Sequence, residues 1–427
     1  MATVAHQISA AQAAREIAAG RLTSETLVRA CLSRITERDA HVQAWAFLDH
    51  DLAIAQARAC DRSPRRGPLH GVPIGVKDVI DTADMPTAYN SPIYANHQPR
   101  ADAACVAAVR RAGAVIMGKT ETTEFANNHP ARTRNPHNLG HTPGGSSSGS
   151  AAAVADYMVP LAFGTQTGGS TIRPSAFCGV VGYKPTFNTI NRAGLKIVAE
   201  SLDTIGLHAR TVEDVALLAA AASGRPMPEF GRRGGAPRVG LYRTPHWDKT
   251  DEATRNLIAE VADRLRRAGW SVVDADLPPQ AVAVYDANST IMQYEEAASF
   301  GWEYDNHAGL LSEDLRARIE RGRATSRAQY ERAIDVVLEV GAMFVDAFRS
   351  VDVLLTPSAP GEAPFGLTST GNSLFNRNWT TLGLPCVTLP AGLGPRGLPL
   401  GVQWVGPYRG DRELLLAADA AAKVLAR

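Results

Sequence analysis

A chain of 427 residues, 45% apolar and 20% charged, is long enough to bury a large core, and its 44 basic and 43 acidic residues leave a net charge of +1. It has no basic stripe of the kind a nucleic-acid binder shows and no run of about 18 apolar residues for a membrane span. The five cysteines, Cys31, Cys60, Cys105, Cys178 and Cys386, are widely spaced without a CxxC pair, which argues against a disulfide framework or zinc ribbon. The start, MATVAHQISAAQAAREIAAG, lacks the basic-then-apolar pattern of a signal peptide. The expectation is a cytoplasmic protein acting on a small, not strongly charged molecule, with neither nucleic acid nor membrane as partner.

The first 60 residues read as two helices. Ser9 with Gln12 makes a capping box before AAREIAA, and Thr23 or Ser24 caps a second helix with Leu27, Val28, Cys31, Leu32 and Ile35 on one face. From about residue 70, short apolar strands alternate with helices. VPIGV (72–76) is a strand ending at Lys77, Asp102 caps a helix through Arg111, and AVIM (114–117) is a buried strand. Further strands are expected at 238–242, 271–274, 351–355, 386–389 and 400–405, and helices at 212–223, 251–268 and 411–425. Residues 280–349 look mainly helical. This alternation predicts an α/β fold with a mainly parallel sheet. GRRGGAPR (231–238) reads as a surface connection and only a weak domain boundary.

Lysine is scarce: only Lys77, Lys119, Lys184, Lys196, Lys249 and Lys423 stand among the 44 basic residues. Arginine keeps its proton in a protein, whereas a buried lysine can lose it, so a lysine retained in such a chain is a candidate titrating group. Residues 142–185 hold two Gly–Gly–Ser units, ending at Ser146 and Ser170, 24 residues apart. Gly/Ser-rich runs are usually flexible linkers. Here both units flank AAAVADYMVPLAFG, apolar enough for a core, so the glycines are expected to serve backbone geometry instead. No GxxxxGK[ST] phosphate cradle is present, and none of the eleven histidines lies in a GxSxG or HExxH context. His70, close to Lys77 in sequence, reads as a structural or surface residue. A serine hydroxyl needs a base to become nucleophilic, and the glycines of TGGS (167–170) leave backbone N–H groups free for a developing oxyanion.

GGSSSGS (144–150), GTQTGGSTIRPSAFCGVVGYKPT (164–186) and LHGVPIGVKDVID (69–81) resemble the amidase signature family, as do GKTETTEFA (118–126), SLDTIGLHARTVEDVALLAA (201–220) and LPLGVQWVGP (398–407). The resemblance runs along nearly the whole chain. It implies a single α/β domain over 1–427 with a mixed, mostly parallel sheet covered by helices on both faces. Within it, 1–65 would be N-terminal helices packed on the core, 70–225 the catalytic signature core and 280–349 a helical cover near the substrate pocket. It implies hydrolysis of an amide C–N bond, with Ser170 as nucleophile, Ser146 as proton relay and Lys77 as base. It further implies a cis peptide at Gly145–Ser146 and an oxyanion hole among the backbone N–H groups of Thr167, Gly168, Gly169 and Ser170. No metal or organic cofactor is required. Phe125 and Asn127 are candidate pocket residues, with Tyr285, Tyr294, Phe300 and Trp302 as further aromatics. A carbamate or ester hydrolase, or the glutaminase-type subunit of a tRNA-dependent amidotransferase, are the alternatives, and a homodimer stays open. Two departures stand out: Gln166 occupies a position that is often Asp, and Arg173 lies three residues after Ser170 rather than two, which puts an ion pair between these positions in doubt. Ser148 stands where glycine is common, a change expected to be tolerated.

Overall fold

The computed structural model describes residues 5–231, 235–275 and 279–426. Part of the GRRGGAPR connection, residues 232–234, lies outside the described residues, as do 1–4 of the N-terminal stretch. The strands are β1 Trp45–Leu48, β2 Pro73–Lys77, β3 Val115–Thr120, β4 Leu161–Gln166, β5 Val181–Lys184, β6 Thr204–Ala209, β7 Arg238–Leu241, β8 Ser271–Asp274, β9 Val353–Pro357, β10 Cys386–Leu393 and β11 Pro399–Val405. Among the described residues they form one 11-stranded sheet in the order β1-β3-β2-β4-β6-β5-β10-β11-β9-β7-β8.

The sheet is mixed, but its parallel share is smaller than the alternation of strands and helices suggests. Parallel pairing joins β3 to β2, β2 to β4, β9 to β7 and β7 to β8. The remaining pairings are antiparallel. The reason is visible at β4 and β5. The two run in the same direction, linked by a crossover helix at Ile172–Cys178, but β6 pairs antiparallel with both and fills the slot between them. Strand–helix alternation reports direction and says nothing of a later strand inserted between two earlier ones.

Both faces of the sheet are covered, and the side-chain period of two sorts the residues between them. Ile116 of β3 packs with Ile74, Val76 and Phe163 in one apolar cluster. Its neighbours Val115 and Met117 pack with the helices Ser24–Val42, His50–Asp61 and Ser148–Ala155 on the other face. Among the described residues the first 61 hold three α-helices, a single 3-10 turn at Ala5–Gln7 and the edge strand β1, one α-helix and one strand more than the hydrophobic pattern indicated. Asp102 does not cap the helix Ala104–Arg111, whose N-cap is Ala103 without a side-chain bond. Asp102 instead accepts from Ala83 N at 2.8 Å and pairs with Arg110 at 3.0 Å, tying the helix end to the loop before it. Residues 280–349 are helical as expected, with helices at Ala283–Ser299, Gly301–His307, Glu313–Ala324 and Arg327–Ser350. No helix among the described residues is long and apolar enough to cross a membrane.

This topology fixes where chemistry can occur. In an open parallel block, ligands gather beyond the C-terminal strand ends. Lys77 is the last residue of β2, and Thr165 and Gln166 close β4, so all three sit at that edge.

Candidate active site

Lys77 is fully buried, and its Nζ donates to Ser146 Oγ and to Thr165 Oγ1, both at 2.7 Å. No carboxylate lies within ion-pair distance of it among the described residues. Burial holds its pKa well below the usual lysine value, and the charge of Asp203 only partly opposes this. Lys119, equally buried, differs in kind: it faces Asp78 at 3.3 Å and donates to Thr87 Oγ1 at 2.5 Å. Lys184 donates to Pro185 O at 2.9 Å within the core.

Ser146 follows a cis Gly145–Ser146 peptide. Gly144 before it has φ +83°, and a Cβ there would come 2.8 Å from Pro174 Cα, so only glycine fits. The turn is then tied down from several sides. Ser148 Oγ donates to Gly144 O at 2.8 Å, which gives a use to the serine standing where glycine is common. Ser147 Oγ accepts from Thr165 N at 3.2 Å, and Ser147 N donates to Ser170 O at 3.2 Å. Thus one Gly–Gly–Ser unit is stitched directly to the other.

Ser170 lies between β4 and the helix Ile172–Cys178 and is 9% exposed. With Thr167, Gly168 and Gly169 it lines a cavity of about 690 Å³. Among the described residues Ser170 Oγ makes no hydrogen bond; the Ser146 hydroxyl is engaged by Lys77. No ion pair joins positions 166 and 173, and each side chain has another task. Gln166 Oε1 accepts from Thr171 N at 2.9 Å and Ile172 N at 3.0 Å, capping the helix behind Ser170. Its Nε2 donates to Thr380 Oγ1 at 2.9 Å, which donates to Gly168 O at 2.7 Å. Arg173 donates to Gly145 O at 2.6 Å, Gly371 O at 2.7 Å and Thr370 Oγ1 at 3.2 Å, so it clamps the carbonyl of the cis peptide to the loop at 368–373.

The predicted pocket residues divide. Asn127 lines the cavity and donates to Glu296, whose two oxygens also accept from Arg318 Nε at 3.2 and 2.9 Å. Phe125 does not line it: the ring is fully buried against Phe300 and Tyr89, with centroids at 5.1 and 6.1 Å. Its backbone turns at φ 45°, which points the apolar ring inward while Asn127 two residues on faces the cavity. Phe300 is core, Tyr294 stacks on Tyr330, Tyr285 packs on His246 and Trp302 is exposed; none of them lines this cavity. His70 is held by Cys60 O and Arg66 N.

Three contributors escaped the sequence. Thr165, the second partner of Lys77, carries no motif signal. Asp203 lies in the SLDTIG segment; it accepts from Thr167 Oγ1 at 2.5 Å and Val198 N at 2.7 Å, and burial raises its carboxyl to about 6. Arg377 reaches the cavity from 207 residues further along the chain than Ser170, and only long-range packing reveals it.

Known proteins place this geometry in context. A family model described as Amidase matches residues 26–415. A glutamyl-tRNA(Gln) amidotransferase subunit from Roseiflexus castenholzii is 35% identical, with 99% of this chain and 96% of that protein covered. The native peptide amidase of Stenotrophomonas maltophilia superposes with a TM-score of 0.82 at 31% identity, covering 98% of this chain and 96% of that one. A crystal structure of an amidase gives a TM-score of 0.89 at 28% identity, covering 96% and 98%.

Proposed function

The chain belongs to the Amidase family, and from that premise we propose that it hydrolyses the C–N bond of a small-molecule amide through an acyl-enzyme on Ser170. The observation that carries the reading is the amine of Lys77: buried and, among the described residues, without a carboxylate partner and bonded only to the hydroxyls of Ser146 and Thr165. Desolvation disfavours its charged form. A neutral amine has a lone pair, so the Ser146 hydroxyl can donate to it. In this reading the Ser170 hydroxyl donates to Ser146 in the reactive state.

Proton accounting fixes the order of events. Ser170 gives its proton to Ser146 as its oxygen bonds the amide carbon, and Ser146 gives its own proton to Lys77. The carbonyl oxygen takes the negative charge, facing backbone N–H groups among Thr167, Gly168, Gly169 and Ser170. The relay then runs in reverse, the leaving nitrogen takes the proton, and the C–N bond breaks. Water attacks the Ser170 ester, passing its proton along the same path, and the acid departs as Ser170 recovers its hydrogen.

Ser170→Ala tests this directly. It should lower kcat by roughly three orders of magnitude or more and abolish labelling by a fluorophosphonate, with the circular dichroism spectrum unchanged. Normal turnover by the purified variant would rule the assignment out. A second reading rests on the curated relatives, which carry amidotransferase names: the chain would then be the ammonia-releasing part of a larger complex. Stoichiometric co-purification with a partner, and glutamine hydrolysis stimulated by it, would favour that reading.

A further inference from the structure

Resting on the hydrolase reading, we propose that Arg377 makes this an amidase for substrates bearing a carboxylate, one end of which is the scissile amide and the other a monoanion held by the guanidinium. The charges around the cavity lead there. Three arginines line it: Arg173, Arg318 and Arg377. Arg318 has its charge met by the buried Glu296, whose two carboxylate oxygens both accept from its Nε. Arg173 spends its terminal nitrogens on Gly145 O, Gly371 O and Thr370 Oγ1. Arg377 is the remaining one. Its Nε donates to Ser373 Oγ at 3.1 Å, and among the described residues its two terminal nitrogens have no acceptor and no carboxylate within ion-pair distance. It is half-buried, and burial disfavours its charge. A guanidinium in that condition costs free energy unless an anion joins it.

Its place fits substrate rather than scaffold. The side chain springs from the short helix Arg377–Thr381, whose Thr380 holds Gly168. A Cβ added at Gly168 would come 3.8 Å from Arg377 Cγ and 3.6 Å from Ser373 Oγ. The cation therefore runs along the glycine row that leads to Ser170. Glycine at 168 leaves room there for a ligand atom. Among the described residues the only carboxylate lining the cavity is that of Asp314, an exposed residue that offsets part of the excess charge. One guanidinium whose charge no carboxylate meets balances a single negative charge, which suits a carboxylate better than a phosphate dianion. The planar fork of terminal nitrogens matches two carboxylate oxygens.

The test separates binding from turnover. Ser170→Ala is titrated calorimetrically with succinamate and glutaramate and with their neutral counterparts, succinamide and glutaramide. At least one monoanion should bind about tenfold or more tightly than its diamide at low salt. The preference should shrink below about twofold in Ser170→Ala/Arg377→Met and survive in part in Ser170→Ala/Arg377→Lys. Equal affinity for anion and diamide, no binding of either, or a preference that persists without Arg377 overturns the proposal; the first two outcomes need no Arg377 variant to fold. Failure of the hydrolase reading shows elsewhere: a chain with Ser170 intact that takes up no fluorophosphonate, whatever it binds.

Discussion

Replacing Gln166 with leucine isolates what holds the loop that carries Ser170. The side chain is completely buried and makes three bonds: two accepted from Thr171 N and Ile172 N, one donated to Thr380 Oγ1. Leucine fills a similar volume but leaves two buried N–H donors bare, at about 1–3 kcal/mol each, less the gain from added apolar contact, for a net cost of about 3 kcal/mol. Spread over an unfolding entropy of about 2.1 cal/mol/K per residue, that lowers Tm by roughly 3 °C in a domain this large. Thr380→Val removes the bond to Gly168 O and also the acceptor of Gln166 Nε2, for about 2 kcal/mol, and leaves the capped N–H groups untouched. Because the two side chains touch, the double variant should lose less than the sum, with a coupling of about 1 kcal/mol. Both single variants should also lower kcat by about tenfold to a hundredfold, since the donors at Gly168–Ser170 then drift from the oxyanion position. The assays are scanning calorimetry at one scan rate and steady-state hydrolysis of an aryl amide. A Tm for Gln166→Leu within about 1 °C of wild type, or strict additivity in the double variant, refutes the chain of bonds from residue 166 to residue 168.

Two further outcomes concern pH. Burial lowers the Lys77 pKa, so the neutral amine, the active form in the proposed mechanism, gains population as pH rises; kcat/KM should climb toward alkaline pH and level off. A profile flat from about pH 6 to 9 with chemistry limiting excludes Lys77 as base. The same shift has a stability sign: between the lowered folded value and 10.5 the unfolded chain binds the extra proton, so stability rises with pH through that window, a slope that Lys77→Met removes. Asp203 works the other way. Burial raises its carboxyl from 3.8 to about 6, so the folded state binds the extra proton and stability falls as pH rises through that range. Asp203→Asn should abolish this component, about 3 kcal/mol between pH 4 and 6, read as the difference between the two denaturation curves against pH. An unchanged difference across that window removes Asp203 from the account. The lost charge should also shift the alkaline limb of kcat/KM to lower pH, because Asp203 is the group that favours charged Lys77.

Much of the frame was legible because it depends on local pattern. β2 ending at Lys77, β3, β7, β8 and β9, and the helices Val212–Ser223 and Asp411–Leu425, lie within a few residues of where periodicity and glycine punctuation put them. The two Gly–Gly–Ser units were legible for a different reason: glycine beside an apolar core segment needs a backbone explanation. What stayed hidden depends on pairing at long range. β6 enters between β4 and β5 from beyond both, and no residue in it announces the slot. Thr165 looks like an ordinary strand threonine until Lys77 is seen across the sheet. Phe125 misled because an aromatic next to a motif suggests a pocket, whereas its left-handed backbone sends the ring into the core.

The buried cations show why composition alone cannot name a base. Lys77 and Lys119 end adjacent parallel strands or nearly so, and both are fully enclosed. What separates them is the partner. Lys119 faces Asp78, whose charge raises the lysine's pKa against burial. Such a pair favours the charged form of the lysine and makes it a tie between two loops. Lys77 faces hydroxyls, which can donate to a neutral amine as readily as they accept from a charged one. Exchanging the environments should exchange the roles. Asp78→Asn should leave Lys119 with a lower pKa and a less stable fold but the alkaline limb of kcat/KM in place. Thr165→Asp should hold Lys77 charged and push that limb to higher pH, with kcat at neutral pH falling in proportion. If Asp78→Asn moves the limb and Thr165→Asp does not, the base is the lysine at 119 and the assignment built on residue 77 is wrong.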